Sequence, residues 1–168
     1  MSAVEDLQDN RAVTKMRELV KAAPTCMLGT VLGDLPPHLC PMQVQDVDSD
    51  GCLWFFSGAD SAHNAHIGED PRVQLVFCNN SNHEYLAVYG KAEITRDIHK
   101  VDELWTNMVK TWFPDGKDDA NLTLICVCPE KVHYWDVKDG KLVAMAKILM
   151  GAVTGNPQDI GIEGDLNP

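Results

Sequence analysis

Basic side chains are scarce in this chain. Its 168 residues carry 14 Lys and Arg against 25 Asp and Glu, a formal net charge of −11. That balance excludes nucleic acid and an anionic membrane surface as partners, since either selects a basic face that displaces counterions. Long apolar runs are also missing, and none approaches the roughly 20 residues of a membrane helix. The opening MSAVEDLQDNRAV is acidic and lacks the apolar stretch of a signal peptide, so a cytoplasmic protein is expected. There is no CxxC spacing, no GxSxG elbow and no cysteine with an obvious histidine partner, which leaves hydrolase chemistry without support. The six cysteines (Cys26, Cys40, Cys52, Cys78, Cys126 and Cys128) sit mostly in apolar runs such as LTLICVC and read as buried thiols of a reducing cytosol.

What is present is enough for one domain spanning residues 1–168. With 45% hydrophobic residues, a chain of this size buries roughly two-thirds of its unfolded surface and requires no disulfide or metal to hold it. Apolar residues at Leu7, Val13, Met16, Leu19 and Val20 predict a leading helix within 3–22, stopped before Pro24. Short β-branched and aromatic runs follow: TCMLGTVLG, HLCPMQVQDV and CLWFFSG, joined by turn clusters and read as antiparallel strands. SAHNAHIGE (61–69) predicts a short helix with Ser61 as its N-cap. VQLVFC (73–78) and EYLAVYGKAEI (84–94) read as strands, and 97–113 as a helix capped by Asp97. A strand from 122 to about 136 and a closing helix over 141–153 complete a core of about 10–155, with 156–168 expected as a flexible tail. The sum is mainly β with helices: a small antiparallel β-barrel with N-terminal, inserted and C-terminal helices. The connections between the early strands are too short for parallel crossovers.

Two metal patterns fail on inspection. DVDSDG (46–51) opens like a calcium loop, but the twelfth position, where a bidentate carboxylate belongs, is Ser57, and CLWFF between them is a strand. An Asp-rich hairpin turn is the better reading. His63 and His66 share a helix face, yet a third ligand is not defined; Cys52 and His83 are the residues that could approach, and no metal is expected. The tryptophans Trp54, Trp105, Trp112 and Trp135 are core by default, although WFP (112–114) and YWD (134–136) sit at element ends suited to a pocket wall or subunit interface.

Taken in order, CPM (40–42), LWFFSGADS (53–61), HIGEDPRVQLVF (66–77), VYGKAEI (88–94), DELW (102–105), WFP and VHYWD (132–136) resemble the general stress proteins of the pyridoxamine phosphate oxidase-like superfamily. The resemblance implies a split β-barrel, a homodimer, and FMN held at the dimer interface. It places a flavin near Cys40, Met42, Phe55, Phe56, Ser57, Ser61, His63, Trp112 and Trp135, with the phosphate at the FFSGADSAH corner, where a helix start offers N–H groups. Ser57 and Ser61 match the family's hydroxyl positions. The cations that FMN-binding oxidases carry here fall on Cys40, Gln45, Ala62 and His63, so His63 is expected to become charged beside a phosphate. The tail TGNPQDIGIEGDLNP lacks the arginine and histidine of the vitamin B6 oxidases, and that activity is not expected. The expectation is a flavin-dependent oxidoreductase with a small-molecule electron donor or acceptor, its catalytic residues undefined because the cofactor supplies the chemistry. The alternatives are a cofactor-free binding or interaction protein, and a heme or deazaflavin variant in which His63 or His83 serves heme.

Overall fold

Alternation of apolar and polar side chains sets the strands of the computed structural model, which describes residues 3–137, 150 and 161–168. In chain order the elements are β1 (Ala3–Val4), β2 (Leu7–Gln8), α1 (Asp9–Ala22), β3 (Thr25–Thr30), β4 (His38–Val47), β5 (Leu53–Gly58) and α2 (Ala62–Glu69). They continue with β6 (Arg72–Asn79), β7 (Glu84–Thr95), α3 (Ile98–Leu104), β8 (Leu122–Val137) and β9 (Gly161–Asn167). Antiparallel pairing runs β3–β4–β5–β8–β7–β6 and returns to β3, closing a six-stranded barrel. The expected barrel class, mainly β with helices, is the observed one.

Period-two alternation fills the barrel. Leu53, Phe55 and Ser57 of β5 point inward, as do Val73, Leu75 and Phe77 of β6. Alpha-helix α1 lays Ala12, Met16, Leu19 and Val20 on this core and ends, as its sequence predicts, before Pro24. A second apolar cluster lies outside the barrel wall, where Val101, Leu104, Val109 and Phe113 cover Leu124 and Phe56. Beta-strand β8 has two partners in succession: its first half pairs with β5 and its second with β9, while β7 follows it throughout. At the bulge between Tyr89 and Gly90, a Cβ on Gly90 would lie 2.2 Å from the Cys128 carbonyl oxygen, so only glycine lets β7 follow β8 there. Among the described residues, no helix is long and apolar enough to cross a membrane.

Three expectations change. The helix expected over 97–113 stops at Leu104, with Trp105 already extended, and the chain then makes a single 3-10 turn at Val109–Thr111. The break lets Val109 and Phe113 reach the outer cluster, which leaves Trp112 79% exposed. Burial decides this segment over helical periodicity. The tail is not loose over its last residues: 161–167 form β9, antiparallel to β8, with Leu166 buried and the parallel strands β1 and β2 on its other edge. The cysteines are not uniformly buried either, since Cys78 and Cys128 are exposed and only Cys26 is fully enclosed. The helix expected over 141–153 falls outside the described residues apart from Met150.

Candidate functional site

The site grows from the end of β5. Beyond the pair Val44–Phe55 the β4–β5 ladder stops, so His38–Gln43 pair only with β3 and keep one backbone edge off the sheet. Chain leaving β5 turns through Gly58 and Asp60, whose N–H donates to Asn121 Oδ1 at 3.1 Å, and enters α2. Ser61 caps the helix as predicted, its Oγ accepting from Asn64 N. Ile67 is buried in the core and seats α2 over this end of the barrel. The first N–H groups of the helix, at Ala62 and His63, have no intrahelical acceptor and face its N-terminal side.

A chain of side-chain hydrogen bonds holds the corner together. Ser57 Oγ donates to Asn64 Oδ1 at 2.6 Å, Asn64 Nδ2 donates to Thr123 Oγ1 at 3.0 Å, and Thr123 Oγ1 donates to the Ser57 carbonyl at 2.8 Å. Ser57, Asn64 and Thr123 are all buried. Because the one hydroxyl hydrogen of Ser57 goes to Asn64, the 2.7 Å contact between Ser57 Oγ and His63 Nε2 needs its hydrogen from the imidazole. The neutral ring is therefore the Nε2–H tautomer. Its Nδ1 lone pair faces Cys40 Sγ on β4, 3.7 Å away. His63 thus bridges the two strands where their ladder has opened.

Two more imidazoles crowd the same end. His66 Nδ1 lies 3.0 Å from the buried Thr30 hydroxyl, and its ring meets His38 edge-on at 4.9 Å. His38 Nδ1 is buried without a hydrogen-bond partner. Burial first, then the neighbouring His38 and His66, hold His63 below the ordinary histidine range. These surroundings favour a neutral His63, opposite to the charged form expected beside a phosphate.

The residues implied by resemblance separate into groups. Cys40, Ser57, Ser61 and His63 converge at the corner. Met42 is half-buried against the barrel core, two residues along the open edge from Cys40. Phe55 is wholly buried, and Phe56 belongs to the outer cluster beside Trp105 and Phe113. Trp112 is exposed after α3, and Trp135 is exposed on the outer face of β8, edge-on to His133 at 4.5 Å. His83 sits in the β6–β7 turn at positive φ, among residues remote in sequence from this corner. Asn64, Thr123, Thr30, His38 and His66 complete the site. Inward alternation along β4 could have flagged His38 with Cys40 and Met42; Thr123 had no local signal, since it joins Ser57 only through the β5–β8 register.

Lys and Arg are absent from Cys40, Gln45, Ala62 and His63, but two cations approach Gln45 from another element. Arg17 and Lys21 of α1 line a cleft of about 430 Å³ with Pro24, Val44, Gln45 and Asp46. Arg17 Nε donates to the Val47 carbonyl at 2.7 Å.

A barrel that opens between two strands, with a capped helix start and a hydroxyl cluster at the opening, defines a split-barrel protein with an anion-compatible corner. Residues 11–159 match the pyridoxamine 5'-phosphate oxidase-like family, and the chain belongs to it. It is 31% identical over 100 residues to general stress protein 26 of Bacillus subtilis, covering 57% of this chain and 71% of that protein. A structure described as a putative general stress protein 26 from Jannaschia sp. superposes with a TM-score of 0.77 at 21% identity, covering 95% of this chain and 99% of that one. The general stress FMN/FAD binding protein of Xanthomonas citri superposes with a TM-score of 0.64 at 30% identity, covering 74% of this chain and 87% of that one.

Proposed function

We propose that this chain is a homodimeric FMN-binding protein of the general stress type, acting in the cytosol on a small electron donor and acceptor. The observation that carries this reading is the corner itself. Ser57, Ser61 and His63 gather at a helix N-terminus beside an unpaired strand edge, and the Xanthomonas citri relative with this fold is an FMN/FAD binding protein. Ser61 Oγ–H and the Ala62 and His63 N–H groups are the donors for a phosphate, and the helix dipole favours its charge. An anion there raises the affinity of His63 for a proton, so the neutral ring of the free protein becomes a cation on binding. FMN supplies hydride and electron transfer when bound; the chain positions it and excludes water.

In this reading a second copy packs on the chain and completes the slot for the flat ring system at this edge. The outer face of the same strands suits one. Pro41, Met27, Val76 and Ala87 align across β4, β3, β6 and β7, with Leu39 one step along, and Met27, Leu39 and Val76 are large and exposed. Such a contiguous apolar face on a sheet is a contact surface for protein. Vitamin B6 oxidation is not part of the proposal, because residues 154–168 hold no arginine or histidine.

The test is the absorption spectrum of protein purified without added cofactor, followed by titration with FMN. A flavin spectrum or saturable binding supports the reading. A colourless protein indifferent to excess FMN supports a cofactor-free binding protein, the reading favoured by the missing cations at Cys40, Gln45, Ala62 and His63. A Soret band or deazaflavin emission supports a changed cofactor.

A further inference from the structure

The sulfur atoms of Cys52, Cys126 and Cys128 lie within 4.8 Å of one another. Strand register brings them together. Leu53 pairs with Val127 and Trp54 with Cys126, so Cys52, just before β5, falls opposite Cys128. Cys126 and Cys128 are two apart on β8 and therefore share its outer face. Cys52 Sγ and Cys128 Sγ are 2.8 Å apart. Asp48 anchors the turn at this point, its carboxylate accepting from the Cys52 N–H at 2.9 Å and from Trp54 Nε1 at 2.8 Å. That places a negative charge beside the thiols.

This arrangement matches the demands of a soft cation. Metal–sulfur bonds of about 2.3 Å at tetrahedral angles put sulfurs about 3.8 Å apart, within the span already present here. Cys52 and Cys126 are half-buried and Cys128 is exposed, so the cluster is shaped yet reachable from solvent. We propose that Cys52, Cys126 and Cys128 form a three-sulfur site for a thiophilic d10 cation, zinc(II) or copper(I). Thiolate sets select such ions over magnesium or calcium. Sulfur ligates such a cation as thiolate, so binding releases protons and tightens as pH rises. The site is independent of the proposed flavin corner: Cys52 and Ser57 are five residues apart along an extended strand, about 16 Å.

The test titrates the reduced, metal-stripped full chain with cadmium(II) under anaerobic conditions. The readouts are the sulfur-to-cadmium charge-transfer band and the number of thiols still open to a chromogenic reagent. Zinc(II) and copper(I) then compete for the site, and the tighter competitor identifies the ion it takes. The proposal expects saturation at a single ion per chain and protection of the three clustered thiols. Cys128→Ser, at an exposed position that leaves the fold intact, should weaken binding by more than about tenfold. Cys126→Ser with Cys128→Ser should abolish it, whereas Cys78→Ser, an exposed thiol elsewhere, should change nothing. Absence of the band, a band unchanged in Cys128→Ser, or a reduced chain with no ion affinity that only oxidises to a Cys52–Cys128 disulfide would each overturn the proposal.

Discussion

Ser57 and His63 meet at 2.7 Å, Oγ to Nε2, across the point where β4 and β5 part. The contact ties the end of a strand to the first turn of α2, and the onward bonds to Asn64 and Thr123 fix which ring nitrogen carries the hydrogen.

Ser57→Ala removes the donor to Asn64 Oδ1 and the acceptor of His63 Nε2–H, both inside the protein. Leaving buried groups unpaired costs about 1–3 kcal/mol, and for a chain of this length each kcal/mol lowers the melting temperature by about 2–4 °C. Thermal denaturation should therefore show a drop of several degrees. Ser61→Ala, which removes the helix cap and the 3.4 Å contact with Ser57 Oγ, should cost about 1 kcal/mol. A Ser57→Ala protein that melts with the wild type would show that the buried network carries no weight.

His63 makes stability depend on pH in a defined direction. Its folded-state pKa is depressed by burial and by His38 and His66, so the neutral ring is the favoured form in the folded chain. That contribution is fully present above the unfolded value of about 6.5 and is lost as pH falls through the folded value. Denaturation midpoints measured from about pH 8 down to about pH 5 should decline more steeply for wild type than for His63→Gln. Equal slopes would remove His63 as the source. Flavin binding should run the other way: a bound phosphate raises the pKa of His63, so binding takes up a proton and affinity weakens as pH rises through neutrality. His63→Lys should tighten binding and flatten this dependence between about pH 5.5 and 8.5.

Gly90 tests the bulge that lets β7 track β8. A methyl group there meets the Cys128 carbonyl oxygen at 2.2 Å, and Gly90→Ala should destabilise by about 1–3 kcal/mol or more. Gly68, in α2, has open space where a Cβ would project, so Gly68→Ala should instead stabilise by about 0.5–1 kcal/mol. Similar denaturation midpoints for the two variants would contradict this packing.

The strand plan was legible because it rests on local patterns. TCMLGT, LWFFSG and EYLAVYGKAEI alternate, and Ser61 and Asp97 cap the helices that follow them. What was not legible depends on distant partners. The helical periodicity after Asp97 yields at Trp105 because Val109 and Phe113 gain a buried site on Leu124 and Phe56. The polar segment ending in Leu166 becomes a strand because β8 has an edge to fill beyond β5. At the corner, Ser57, Ser61 and His63 were readable from one short stretch. Thr123 is 66 residues from Ser57, and Cys128 is 76 from Cys52, so only the strand register brings either pair together.

The outer sheet face gives a prediction about assembly. Met27 and Val76 are register partners, both exposed, at the centre of the apolar patch. Met27→Glu combined with Val76→Lys should turn a dimer at micromolar concentration into a monomer in sedimentation, and flavin affinity should fall with it. A double variant that sediments as a dimer with full affinity would place the partner on another surface.

FMN binding is tested most directly by titrating the wild-type chain and following flavin fluorescence and melting temperature together. Binding should saturate, should raise the melting temperature with ligand concentration, and should be weakened by Ser61→Ala and by alkaline pH. Fluorescence and melting temperature both unchanged by excess FMN would contradict it.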